Sequence, residues 1–194
     1  YTVSATVTSG EGISRTLTAK VTATKGYEPP EYKGYGNLAY LGIITCNVGQ
    51  PKGSGSKDIE IIRDGKITRT NLGQYDTFFY RGDPHEEYIG YVFSEAYSFD
   101  KVVFTEGMQF DNGGWFENGT LRIEALIDGS WKKLDVVSEP EYPNGNKQSD
   151  FGANFETYTF TFEPVKASGI RLIGSAGGSM HFISVAELEV YGSR

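Results

Sequence analysis

Thr157-Tyr158-Thr159-Phe160-Thr161-Phe162 alternates threonine with an aromatic ring for six residues. Successive side chains of a β-strand point to opposite faces, so Tyr158, Phe160 and Phe162 share one face and the threonines the other. A strand with one apolar and one polar side suits an antiparallel sheet covered on one side only. Read outward from this stretch, the sequence predicts strands over 88–93, 99–105, 120–126, 131–137, 156–163, 169–173 and 185–191, with turn residues at regular intervals between them. Asp128-Gly129, between two of these runs, is a tight hairpin turn in which glycine supplies the positive φ of the reversal. Apart from 58–63, no segment carries a convincing amphipathic helix of more than two turns. The expected fold is therefore all-β, an antiparallel β-sandwich.

The N-terminal part reads differently. Val3, Ala5 and Val7 share one face, Ser9-Gly10-Glu11-Gly12 makes a turn, and Leu17, Ala19, Val21 and Ala23 share a face again, which is a hairpin. From 26 to 57 the pattern breaks into Pro29-Pro30, scattered glycines, Tyr27, Tyr32, Tyr35 and Tyr40, one apolar run over 41–45, and Pro51-Lys52-Gly53-Ser54-Gly55-Ser56. This is a long loop pinned by tyrosines; a domain boundary near Gly26 is the alternative. The organisation expected is one domain over 1–194, with 1–57 an N-terminal hairpin and long-loop elaboration and 58–194 the sandwich core.

Composition narrows the function. A chain of 194 residues suits one sandwich and buries a sizeable core without staples. Cys46 is the only cysteine, so neither an intrachain disulfide nor a thiolate metal cage can form. A net charge of −7 without a Lys/Arg cluster argues against nucleic acid and anionic membranes, and favours a neutral or cationic partner. No apolar run approaches the roughly 20 residues that span a bilayer, and residues 1–10 lack the pattern of a signal peptide, so a soluble mature or excised module is expected. The Gly-, Tyr- and Thr-rich style points to export, to the exterior or the cell surface. With only His85 and His181, the chain has no zinc-helix pair, no Gly-x-Ser-x-Gly elbow and no phosphate-cradling loop, so no enzyme activity is expected. Its 25 acidic residues allow some carboxylate pair for glycoside hydrolysis, as any such number would. Arg81-Gly82-Asp83 spells an adhesion tripeptide and equally a turn before Pro84; Asn118-Gly119-Thr120 matches a glycosylation acceptor.

Three stretches, in order, carry a family likeness. The first is Ile62-Arg63-Asp64-Gly65-Lys66 with Gln74-Tyr75-Asp76-Thr77-Phe78. The second runs from Tyr88-Ile89-Gly90-Tyr91-Val92-Phe93 through 99–104 to Leu121-Arg122-Ile123-Glu124 and on to Trp131. The third is Gly169-Ile170-Arg171-Leu172-Ile173, closing with 183–192. Together they resemble the discoidin or coagulation-factor type C (F5/8 type C) domain, and within it the bacterial family 32 carbohydrate-binding modules. The resemblance covers 58 to the C-terminus and implies a jelly-roll sandwich with ligand loops gathered at one end. It also implies a structural calcium ion, held by the Asp64 carboxylate, the carbonyls of Arg63 and Lys66, a nearby threonine hydroxyl, the Ala186 carbonyl and the Glu187 carboxylate. Calcium takes six to eight oxygens, and this mixed set suits it. The family threonine stands five residues after the aspartate, where this chain has Arg69 between Thr68 and Thr70; Thr68 is the candidate. The plain alternative is a simple Asp-Gly turn and a solvated Glu187. The clotting-type disulfide and lipid-binding spikes are absent from the sequence.

The most ligand-like stretch is 107–119. It holds Gln109, Asp111, Asn112, Trp115 and Phe116 among glycines that let backbone approach a ligand. Aromatic faces cover the C–H face of a pyranose, and amides and carboxylates bond its hydroxyls. Trp115 is either a stacking platform or a plug under the sandwich; for Phe116 the core is the stronger reading. A second loop, 174–182, offers His181 and Phe182, because an aromatic near this place stacks on sugar in galactose-binding members. A third, 141–150, offers Tyr142 or is plain solvent-exposed loop. The function expected is a non-catalytic, lectin-like module, a monomeric part of a multidomain protein, that holds a glycoside hydrolase or surface protein to its glycan. Galactose-type or N-acetylated sugars are the implied ligands, although the family's His, Arg and Asn trio is not seen at matching spacing. The alternative is a protein-binding adhesion module of discoidin type, with a flat tyrosine surface over 27–40.

Overall fold

The computed structural model describes residues 2–8, 14–20, 34–79, 83–143 and 155–194, the first two spans as backbone. The turn at 9–12, Tyr27, Tyr32, Arg81-Gly82 and the polar loop from Asn144 to Asp150 lie outside the described residues. The chain divides into two compact units, 1–31 and 32–194. In the first, β1 (Thr2–Thr8) pairs antiparallel with β2 (Ser14–Lys20), the hairpin expected from the sequence.

The second unit is an all-β antiparallel sandwich built on two long strands, β6 (Glu86–Glu106) and β10 (Thr157–Ser175). These pair along nearly their whole length, with register shifts between Thr161 and Val165 and between Ala167 and Gly169. Such breaks let a strand bend from one layer of a sandwich into the other. Below them, residues 86–92 of β6 pair with 169–175 of β10 and with β4 (Ile43–Cys46). That layer continues through β7 (Arg122–Ile127) to β8 (Ser130–Lys133). Above the breaks, β6 pairs with β11 (Ser184–Ser193), and β10 with β9 (Val137–Glu139). β3 (Gly36–Asn37) and β5 (Tyr75–Asp76) pair with opposite ends of β11.

The alternation in 157–162 holds: Tyr158 and Phe160 are buried, Phe162 packs at the margin of the core, and Thr157 and Thr161 are exposed. The space between the layers is filled by Tyr91, Phe99, Phe104, Phe116, Ile123, Leu172 and Leu188, each essentially inaccessible. Tyr91 keeps its one polar atom satisfied by donating to the Leu188 carbonyl at 2.7 Å. Asp128 and Gly129 both have positive φ, 51° and 77°, the tight hairpin turn expected between β7 and β8. On the outer face, Arg171 lies over the rings of Trp131 and Tyr88, 4.3 and 4.9 Å from their centroids, and reaches the Glu124 carboxylate at 2.6 Å.

Three expectations change. The runs 88–93 and 99–105 are one strand, as are 156–163 and 169–173, because the chain between them stays extended through the two register shifts and pairs again at 97–99 with 165–167. The amphipathic stretch near 58–63 is a 3-10 helix, Ile59–Arg63, capped by the Asp58 side chain. Residues 34–57 are a structural part of the second unit: β3 and β4 pair within its sheet, and Leu38 and Ala39 are buried in its core.

Candidate functional site

Four segments meet at one end of the sandwich. The β6–β7 connection, 107–121, and the β10–β11 connection, 176–183, are zipped together by backbone bonds: Gly114 N–H to the Phe182 carbonyl at 2.9 Å, Gly177 N–H to that of Trp115 at 2.8 Å, and Met180 N–H to that of Asn112 at 2.9 Å. Residue 77 joins them, since Thr77 donates its amide to the Ile183 carbonyl at 2.9 Å and its hydroxyl oxygen accepts the Ile183 amide at 3.0 Å. The Gly/Ser stretch then docks on β5, with Lys52 N–H on the Phe78 carbonyl and Ser56 N–H on that of Gln74.

Between them lies a cavity of about 160 Å³ walled by Phe78, Phe110 and Phe182, with Asn112, Asp76 and the 53–54 segment completing it. Phe182 meets Phe78 edge-on, centroids 5.3 Å apart, and Phe110 at 5.8 Å. Asp76 is 1% exposed; its Oδ2 accepts the Gly55 amide at 2.7 Å, whereas Oδ1 has no hydrogen-bond partner among the described residues. Burial pushes this carboxyl above its ordinary value, opposed by the Gly55 amide, the Lys57 charge and the Phe78 amide. Gly53 and Gly55 are required here, because a Cβ on either would lie within 2.5 Å of the Asp76 carboxylate. The neighbouring Phe79, 41% exposed, lines a second hollow with Asn47, Val48, Gly49 and Gln50.

Of the ligand residues expected from sequence, Asn112 and Phe182 line the cavity, and Asp111 is exposed beside Asn112. Others are corrected. Phe116 is fully buried against Phe104 and Tyr142. Tyr142 is buried too, its hydroxyl donating to Glu106 Oε1 at 2.6 Å and accepting the Phe116 amide at 3.0 Å. Gln109 is buried with its amide on Glu106 Oε2 at 3.2 Å. All three serve as packing and hydrogen-bonding groups of the interior, and none lines the loop-end cavity. Trp115 is 8% exposed, and a Cβ on Gly177 would fall 2.1 Å from its Nε1, so the indole edge rests on the bare backbone of the adjoining loop. His181 is half-buried at φ 46°, with Nδ1 3.2 Å from the Ala176 carbonyl and its ring centroid 6.2 Å from that of His85. Sequence reasoning passed over Phe110, although it stands within the ligand-like stretch 107–119, and Phe78 and Asp76, which stand in a stretch quoted for the family likeness.

A second cluster joins the Asp64-Gly65 turn to β11. Gly65, at φ 74°, donates its amide to Glu187 Oε1 at 3.3 Å, and Lys66 N–H bonds Asp64 Oδ1 at 2.9 Å. Glu187 Oε2 is buried with no partner among the described residues. Burial pushes its carboxyl up to about 8, helped by the charges of Glu189 and Asp64 and opposed by the Gly65 and Lys66 amides. Ala186 is the extra residue where the β11–β6 register shifts, so its backbone falls outside the regular ladder. An orphaned carboxylate oxygen beside a second carboxylate and off-ladder backbone is a donor set that fits a hard cation. The Arg63 guanidinium points elsewhere, to the carbonyls of Ala39 and Gly42 at 2.8 and 2.6 Å. Thr68 is exposed, with its carbonyl taken by the Thr70 amide at 2.7 Å. Among the described residues no three His, Cys, Asp or Glu side chains cluster as metal ligands, so backbone and threonine oxygens would have to complete such a site.

No family model matches the chain, and no curated protein does. Solved structures do match its fold. A family 32 carbohydrate-binding module of Clostridium perfringens NanJ, in complex with galactose, is 18% identical with a TM-score of 0.56, covering 81% of this chain and 98% of its own. The Clostridium perfringens module CpGH89CBM32-5, in complex with GalNAc-β-1,3-galactose, is 18% identical at a TM-score of 0.55 over 80% of this chain and 99% of its own. Chitosan-binding module 1 from a chitosanase/glucanase of Paenibacillus sp. IK-5 is 17% identical at 0.52, over 81% and 99%. The chain thus has the discoidin-like β-sandwich fold of carbohydrate-binding modules.

Proposed function

We propose that residues 32–194 form a non-catalytic carbohydrate-binding module of the family 32 kind, acting outside a bacterial cell as a monomeric appendage that holds a larger glycan-active protein near its substrate. The observation that carries this reading is the cavity at the loop end, where three phenylalanine rings stand beside Asn112 and Asp76. Apolar rings for a pyranose face and polar side chains for its substituents are the chemistry of sugar recognition. The cavity is small beside the 300–1,000 Å³ of a drug-sized pocket, so it would take one edge of a sugar, with a dissociation constant on the order of 0.1 mM. Attachment to a multivalent or linked partner raises the effective affinity. The modules it resembles come from glycan-active proteins, which supports the same role. On a broad glycan array, wild-type protein is expected to bind a defined group of sugars, and Phe110→Ala, still folded, to bind them at least about tenfold more weakly. An array on which nothing binds above background would remove the glycan reading.

Calcium belongs to this proposal. Asp64, Glu187, and the carbonyls of Arg63, Lys66 and Ala186 would hold it, with Thr68 as a further ligand, and the ion would compensate the buried Glu187 carboxylate. It would serve structure, locking the Asp-Gly turn to β11. Adding calcium to chelated protein at about a hundred times its dissociation constant is expected to stabilise the fold by about 2.7 kcal/mol. Glu187→Gln should abolish that gain in thermal melts; a melting temperature indifferent to calcium in the wild type would rule the ion out.

A further inference from the structure

We infer that the hollow beside Phe79 is a second sugar subsite, next to the first, so that the module reads a chain of two or more uncharged pyranose units with Phe79 as the platform for the second; this rests on the glycan-binding reading above. A single exposed ring needs no explanation. Phe79, 41% exposed, differs by its place: it walls a hollow of about 390 Å³ with Asn47, Val48, Gly49 and Gln50. That volume falls within the roughly 300–1,000 Å³ of small-molecule sites, whereas the Phe110 cavity, at about 160 Å³, takes one edge of a sugar and leaves the rest of a chain outside.

The hollow is built in advance. The Asn47 side chain is held at both ends of its amide, Nδ2 donating to the Glu86 carbonyl and Oδ1 accepting the Tyr88 amide, each at 3.1 Å. Each end keeps capacity for one more bond, through the second N–H and the second lone pair, which suits a sugar hydroxyl. Val48 is buried, its carbonyl taken by the Tyr75 hydroxyl. A floor already fixed loses little freedom on binding. Gln50 is exposed and supplies a second amide, and no lining residue carries a charge, so the hollow suits an uncharged unit. The Lys52 ammonium group stands 5.8 Å from the Phe79 centroid, at the outer limit of a cation–π contact, so a C–H face of a sugar displaces little.

The two hollows share a wall. Phe78 lines the cavity and Phe79 the hollow, with Cα atoms about 3.8 Å apart. On the other segment of that wall Gly53 lines the cavity and Gln50 the hollow, three residues and so at most about 11 Å apart. Lys52 N–H on the Phe78 carbonyl at 2.7 Å ties the two segments together. Adjoining units of one glycan chain span such a wall.

The test is a calorimetric titration with galactose and N-acetylglucosamine, each as the monosaccharide and as its β-linked dimer and trimer. In a series that binds, the trimer is expected to bind at least about tenfold tighter than the monosaccharide. Phe79→Ala, at an exposed position, should fold as the wild type does and erase that gain while leaving the monosaccharide within about twofold; Phe110→Ala should weaken both. Equal affinity for monosaccharide and trimer, or a gain that survives in Phe79→Ala, would overturn the second subsite and leave the glycan reading intact. So would a monosaccharide weakened by Phe79→Ala as strongly as the trimer, since Phe79 would then belong to the first subsite. Binding of neither series would overturn the subsite, and an empty array beside it the glycan reading as well.

Discussion

Between pH 4.5 and about 7, Glu106 alone is expected to withdraw about 3 kcal/mol of folding stability, and Glu106→Gln to remove that share of the pH dependence. Glu106 is 1% exposed, and burial pushes its carboxyl up to about 7, with Glu156 adding repulsion and the Tyr142 hydroxyl and Gln109 amide opposing. A carboxyl whose folded value is raised holds its proton in the native state after the unfolded chain has released it. Its stabilising contribution is therefore complete below about 4.5 and is lost as pH rises through 7. Gln is a neutral isostere of the protonated form, so the variant should match the wild type at pH 4.5 and exceed it at pH 8. Urea denaturation of both proteins in chelator, at those two pH values, checks the difference directly. Glu187 acts in the same sense, whereas Glu86 and Glu124, lowered by their arginines, act oppositely. Comparing variant with wild type cancels those contributions. A difference that does not change with pH would show that Glu106 titrates in the fold as it does in the unfolded chain.

Phe116→Ala is expected to cost about 3 to 5 kcal/mol of stability, as for other large buried aromatics. Its ring is fully buried, 6.2 Å from Phe104 and 6.4 Å from Tyr142, and the peptide it belongs to donates to the Tyr142 hydroxyl that also serves Glu106. Truncation opens a cavity under the loop that carries Phe110 and Asn112, and takes one ring neighbour each from Tyr142 and Phe104. The consequence separates core from site. Phe110→Ala should weaken glycan binding with little effect on unfolding, whereas Phe116→Ala should shift the unfolding midpoint strongly and bind normally at temperatures where it is still folded. Differential scanning calorimetry beside a binding isotherm for each variant reads both quantities. A Phe116→Ala protein of wild-type stability would contradict its place in the core.

Much of the sandwich was legible because period two is a local property. Tyr158 and Phe160 announce a buried face whatever surrounds them, and Asp128-Gly129 announces a reversal. What was not legible depends on partners distant in sequence. Gly36-Asn37 and Tyr75-Asp76 are strands only because opposite ends of β11 lie beside them, and two residues show no period. The Asp-Gly turn and Glu187 lie together across 122 residues of sequence, and neither that approach nor the exposure of Thr68 has a local signature. In the 107–119 loop, neither composition nor spacing separates Trp115, which goes inward, from Phe110, which lines the cavity. The bare backbone of Gly177, 62 residues later, accepts the indole and settles it. Asp76 escaped notice for the same reason: a carboxylate in Gln74-Tyr75-Asp76-Thr77-Phe78 reads as polar surface until Gly53 and Gly55 are seen to cover it.

The most direct test of a glycan seated between the four segments is a chemical-shift titration of the isotopically labelled protein with the tightest-binding sugar from the array. Amide shifts are expected to concentrate at Gly53, Ser54, Phe78, Phe110, Asn112 and Phe182, leaving the Trp131–Arg171 face and the Asp64–Glu187 turn unmoved. Shifts centred on the Trp131–Arg171 face, or on the hollow beside Val137 and Tyr142, would contradict the site.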